Sequence, residues 1–183
     1  MDPQLQALLD KQAITELVHA YCNASDRHDH DKLRELYHPD ATDDHGAFFK
    51  GLAMEFIDQL PQIQAPMEIL HHNVTTVNLA LEVDYAEGEI YVLAFHKVRT
   101  EEGTLDLMIG GRYFDKYAKR AGQWKFSERA VVADWATITS PSAVDLSHPL
   151  IDGSHLGCPG HKTPLTHSSG CCDAVNGQNN VKQ

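Results

Sequence analysis

Basic residues are scarce in this chain: 15 Lys and Arg stand against 26 Asp and Glu over 183 residues, a formal net charge of −11. That balance argues against a surface built for a nucleic-acid backbone or an anionic membrane, both of which reward clustered positive charge. Long apolar runs are missing too. No stretch approaches the roughly 18 apolar residues of a transmembrane helix. The opening MDPQLQALLDKQ has no apolar segment after a basic one, so no signal peptide is read there and a cytoplasmic location is expected. Cysteine is sparse and badly distributed for a disulfide framework: Cys22 stands alone, while Cys158, Cys171 and Cys172 crowd the far end. Reduced thiols are expected. There is no glycine-rich phosphate loop, no Ser-His-Asp elbow and no internal repeat.

What is present begins with a helix. In KQAITELVHAYCNASD, Ile14, Leu17, Val18, Tyr21 and Cys22 recur at the spacing of one buried face. Asp26 follows one turn after Cys22, about 40° around the axis, at the edge of that stripe and near Tyr21. A carboxylate so placed needs a partner, because uncompensated burial raises its pKa or costs stability. A histidine or arginine from elsewhere in the fold is the expected neighbour; the alternative is a helix frayed after Asn23 with Asp26 solvated. Leu33, Leu36 and Tyr37 predict a short second helix, stopped by His38-Pro39-Asp40. Residues 46–51 read as a short extended piece, and Leu52, Phe56, Ile57 and Leu60 as a third helix ending before Pro61.

From Ile69 onward the pattern changes to runs of valine, isoleucine and aromatics bounded by turn signals, which predicts consecutive antiparallel strands near 70–82, 88–100, 104–119 and 123–138. Strands longer than about 10 residues imply a strongly bent sheet with bulges, and Gly110-Gly111 is a natural place for one. The expected fold is α+β, a single domain over 1–139 with N-terminal helices packed in the concave side of a cone-shaped antiparallel sheet, followed by an extended tail over 140–183. His71-His72 opens the first strand, and alternation lets only one of the pair face the helices. A histidine there, with an acid to fix its tautomer, would form a positioned general base.

The segments YCNASDRHDHDKLRELYHPDAT, LHHNVTTVNLALEVDYAEGE and GGRYFDKYAKRAGQWKFSERAVVADW resemble the SnoaL-like branch of the nuclear transport factor two-like superfamily, over roughly residues 8–138. That branch includes dehydratases, a dehydrochlorinase and polyketide cyclases. The resemblance implies catalytic roles for Asp26, Tyr21 and a strand histidine, which falls on His72, or on His71 if the turn is one residue longer; His72 is favoured. It often places arginine where Arg112 stands, a candidate anion clamp whose same-face neighbours Met108 and Phe114 would line the cone, although an interstrand ion pair is an equal reading. Trp135 is either a pocket wall or core, and Trp124 structural.

The function expected is that of a cofactor-independent lyase acting on a small, largely apolar cyclic or aromatic molecule, as in aromatic compound catabolism. Dehydration, related eliminations and retro-aldol loss of formaldehyde all suit His/Asp/Tyr acid–base groups; an isomerase, a cyclase or a non-catalytic ligand-binding module on the same scaffold are the alternatives. A homo-oligomer is expected, trimer before dimer. No metal is expected: His155, Cys158 and His161 have a spacing unlike common zinc sites, and the tail is expected to pack on the domain or on a neighbouring subunit.

Overall fold

The first helix is set by its ends and one face. In the computed structural model, which describes residues 2–140, α1 runs Pro3–Asp26; Asp2 caps it by accepting the Gln4 N–H at 2.7 Å, and Pro3 stands in the first turn, where its missing N–H costs nothing. Ile14, Leu17, Val18, Tyr21 and Cys22 are buried as their spacing requires. The helix does not fray after Asn23: Asp26 is its last residue. α2 follows at His30–Leu36, capped by Asp29.

α2 stops before His38-Pro39-Asp40, as expected, but the stop itself is part of the sheet. His38-Pro39-Asp40 lies inside a strand, β1 (Tyr37–Asp44), which turns back through β2 (Lys50–Leu52). β1 runs parallel to the final strand, and its register is broken between Tyr37 and Thr42. Pro39 sits in that gap, where no ladder hydrogen bond asks for its N–H. α3 (Ala53–Ile63) likewise runs past Pro61; the exposed proline is in the last turn, so one lost hydrogen bond does not break the helix.

Four long strands complete the sheet: β3 (Met67–Leu81), β4 (Tyr85–Thr100), β5 (Gly103–Arg120) and β6 (Gln123–Thr139). The order is β2-β1-β6-β5-β4-β3. All neighbouring pairs are antiparallel except β1 with β6, so the sheet is mixed rather than purely antiparallel. The architecture is α+β, with α1 against β3 and β6 and α3 against β1.

Bulges decide which residues face inward. On β3 the register shifts between Val74 and Thr76, so the inner set changes from Leu70, His72 and Val74 to Val77, Leu79 and Leu81. On β6 a second shift lies opposite Gly110-Gly111, where Gly110 pairs with Trp135 and Gly111 with Ala133, leaving Asp134 as the extra residue. Beneath the sheet, Arg129 and Asp115 form a fully buried bidentate pair at 2.8 and 2.7 Å, with the Arg129 guanidinium over the rings of Tyr21, Tyr113 and Phe126. Trp124, as expected, is structural: buried, with its indole N–H donated to Asp10 at 2.8 Å. The cysteine that can be described, Cys22, is a free buried thiol pushed up to about 12 by burial. Among the described residues no helix is long and apolar enough to cross a membrane. The expected tail, with His155, Cys158 and His161, lies outside the described residues.

Candidate active site

A cavity of about 390 Å³ opens between α1, α3 and the inner face of the sheet. Its walls are mostly apolar, with Phe56, Leu60, Met67, Leu70, Val92, Ile109 and Val131 among them; the polar side chains on it are few: Tyr21, Ser25, His45, Gln64, His72, His96 and Tyr113. This is the composition of a small-molecule site, an apolar volume with a few convergent polar groups.

Asp26 and His72 meet here. As the last residue of α1, Asp26 reaches β3, where both carboxylate oxygens accept the backbone N–H of His72 at 3.1 Å. The same carboxylate accepts the His72 ring Nδ1–H at 2.6 Å. A carboxylate has no proton to give in that contact, so Nδ1 carries the hydrogen and Nε2 keeps its lone pair for the cavity. Both side chains are largely sheltered, 12% and 17% exposed.

Tyr21 lines the same cavity. Its ring is fixed edge-on against Tyr37, Tyr113 and Phe126 and lies 3.9 Å from the Arg129 guanidinium carbon. Burial pushes its phenol well above the ordinary range, against the opposing charge of Arg129, so the hydroxyl stays a proton donor.

His96 was not singled out in the sequence. It lies on β4 two residues beyond Ala94, on the alternation that turns Ile90, Val92 and Ala94 inward, and its ring centroid is 5.5 Å from that of His72. Burial, reinforced by His72, lowers it to about 4, with Asp26 opposing. It is a neutral imidazole near pH 7, and its buried Nε2 has no hydrogen-bond partner among the described residues. The run IYVLAFH carried the signal, since an alternation calibrated on Val92 already points His96 into the cavity. Among the described residues, no three His, Cys, Asp or Glu side chains converge to hold a metal ion.

The other expected binding residues are not brought to this cavity. His71 is exposed on the opposite face of β3, as alternation requires once His72 points in. Met108, Arg112 and Phe114 do share a face, but it is the outer one, because Tyr113, Asp115 and Tyr117 are the buried set of β5. Arg112 forms the interstrand ion pairs that were its other reading, with Glu89 at 2.8 Å and with both oxygens of Asp134 at 2.9 and 2.8 Å. Trp135 is half exposed outside: simple alternation would turn it inward with Val131 and Ala133, but the extra residue Asp134 reverses it. It is neither pocket wall nor core.

Helices enclosed by a bent sheet around an apolar cavity, with an acid–imidazole pair on its wall, define a class of small-molecule domains. The chain belongs to the SnoaL-like domain family, whose pattern matches residues 6–130. No curated protein matches the chain. Among solved structures it is similar to a type 2 hexachlorocyclohexane dehydrochlorinase, at 22% identity and TM-score 0.70 over 80% of this chain and 98% of the other. A type 3 enzyme of that name from Novosphingobium barchaimii LL02 is 21% identical, TM-score 0.69, over 78% of this chain and 98% of its own. A protein from Novosphingobium aromaticivorans DSM 12444, provisionally named a scytalone dehydratase, is 23% identical, TM-score 0.66, over 76% and 93%. At these identities the likeness establishes the fold.

Proposed function

We propose that this protein is a cofactor-independent lyase that removes water, or a comparable leaving group, from a small, largely apolar cyclic or aromatic molecule. The observation that carries the reading is the 2.6 Å contact between Asp26 and His72 Nδ1 on the wall of an apolar cavity. His72 Nε2 takes a proton from a carbon acidified by a neighbouring carbonyl or electron-rich ring, or from a hydroxyl in a retro-aldol loss of formaldehyde. Asp26 holds the ring in the productive tautomer and balances the imidazolium that forms. The Tyr21 hydroxyl donates a hydrogen bond to the departing hydroxyl or the developing oxyanion. His96, held neutral, adds a donor or acceptor that orients the substrate.

The family and the names of the similar structures, dehydrochlorinases and a provisional dehydratase, support elimination chemistry. The test is an assay with cyclic and aryl β-hydroxy ketones in ²H₂O, following the conjugated product by absorbance and deuterium entry beside the carbonyl by NMR. Turnover should persist after exhaustive chelation and without added nucleotide or flavin. Deuterium entry and turnover undiminished in both His72→Ala and His71→Ala would leave the lyase reading without its base, and a wild-type protein with neither would transfer it to the binding-module reading.

We also infer a homo-oligomer, trimer before dimer. The support is the outer sheet face, where Tyr91, Leu93, Met108, Phe114, Val132 and Trp135 stand between 39% and 51% exposed. Exposed apolar side chains gathered on one sheet face, here around the Arg112 ion pairs, are a usual mark of an interface.

A further inference from the structure

The cavity holds a second histidine backed by a buried carboxylate, on a different element from the first. Alternation on β1 turns Ala41 and Asp43 inward, and Asp43 is 1% exposed. Its Oδ2 accepts the Tyr37 hydroxyl at 2.7 Å. Its Oδ1 lies 2.7 Å from His45 Nδ1. That contact is off the line of a well-formed hydrogen bond, yet both atoms are buried and neither has another partner among the described residues. Nδ1 is therefore the ring nitrogen turned to Asp43, which leaves Nε2 for the cavity that His45 lines.

The ring is held in place. It stacks on Phe56 with centroids 4.3 Å apart, and its backbone N–H donates to Phe49 O at 2.7 Å to close the β1–β2 turn. Nearby, Asp44 pairs with Lys50 at 2.7 Å, and Arg129, the register partner of Asp43, commits Nε and Nη2 to Asp115 while its buried Nη1 has no hydrogen-bond partner among the described residues. A fully buried carboxylate needs polar partners, and besides the Tyr37 hydroxyl the group facing Asp43 is His45 Nδ1.

We propose that His45, oriented by Asp43, is the general acid of this site and protonates the leaving group. The assignment rests on the lyase reading with His72 as base. In the elimination, His72 Nε2 takes the proton from the carbon beside the carbonyl, and that C–H pair becomes the new C=C bond. The C–O bond breaks with its electrons on oxygen, which accepts the Nε2 proton of His45 and departs as water. His72 ends as imidazolium and His45 as neutral imidazole, and exchange with solvent returns both to their starting states. The Tyr21 hydroxyl is thereby left to the carbonyl oxyanion. Asp43 is a positioning residue.

A leaving group that needs no proton discriminates this role from a structural one. The probes are a cyclic β-hydroxy ketone and its β-chloro counterpart, given to the wild-type protein and to His45→Gln, which keeps a polar side chain but carries no mobile proton. Loss of water should slow by about 10²-fold or more in His45→Gln, loss of chloride should change by no more than about threefold, and deuterium entry at the acidified carbon should persist. Asp43→Asn should show the same contrast, more weakly. Equal slowing for both leaving groups in a His45→Gln protein of unaltered melting temperature, or slowing for neither, would overturn the assignment of His45 while the lyase reading stood. A wild-type protein inert to both probes, with no deuterium entry, would sink the lyase reading and this assignment with it.

Discussion

At the scale of single residues, Asp26 and His72 form one unit: the acid holds both the backbone N–H and the ring of its partner. His72→Ala should therefore remove most turnover with little change in melting temperature, since the imidazole faces a cavity rather than filling the core. Asp26→Asn preserves shape but not the charge behind the imidazolium, and should also be severe. The double variant should be barely worse than the worse single one, because residues acting together lose function non-additively; steady-state kinetics on the three proteins decides this, and multiplicative losses would count against a single unit. Tyr21→Phe should cost less, as water can replace a donor.

His96 gives a second residue-scale test, in stability rather than rate. Its imidazole is lowered to about 4 in the fold against an ordinary 6.5. Between those values the unfolded chain binds a proton that the folded chain refuses, so stability rises with pH through that window and is lost as pH falls from about 6.5 to about 4. Discounted for partial exposure, the contribution is roughly 2 kcal/mol. Urea unfolding of His96→Gln across the same window should show a shallower loss than the wild type, and identical slopes would refute the assigned cause.

At the scale of elements, the twin glycines of β5 have unequal jobs. A Cβ on Gly111 would come within 2.5 Å of the Val132 carbonyl oxygen, a backbone atom with no room to retreat. One on Gly110 would meet the Trp135 indole at 2.2 Å, but that ring is half exposed and can swing away. Gly111→Ala should cost about 1–3 kcal/mol, in the range of other overpacked sites, and Gly110→Ala less. Thermal unfolding of the two variants tests the order. The bulge they face also places Asp134 on Arg112, which is why an arginine expected in the cavity is instead part of the outer sheet surface.

At the scale of the whole molecule, the outer sheet face carries the proposed contact with other copies. Phe114 stands 41% exposed at its centre with Arg112 over its ring at 5.1 Å. Phe114→Asp should shift light scattering from an oligomer toward monomer at micromolar protein, because it removes the apolar ring from the contact and adds a carboxylate directly opposite Glu89. A wild-type monomer would refute the oligomer outright.

Much of this protein was legible in the residues alone because local periodicity reports directly on burial. The spacing of Ile14, Leu17, Val18 and Tyr21 located α1, the long β-rich runs located four strands, and an acid at the edge of an apolar stripe pointed to a partner that proved to be His72 in space. Periodicity is silent on long-range register. That Tyr37–Asp44 pairs in parallel with β6 despite Pro39 depends on a gap in a ladder whose other half lies some ninety residues away in the chain. Which side of β5 faces the helices is a question of parity, and it put Arg112, Met108 and Phe114 outside. A single extra residue, Asp134, sent Trp135 with them. Alternation along β4 already turned His96 inward, but that it and His45 share one cavity was decided only when a turn and a strand distant in sequence closed around it, since a histidine's surroundings, and with them its protonation and reach, are properties of the packed fold.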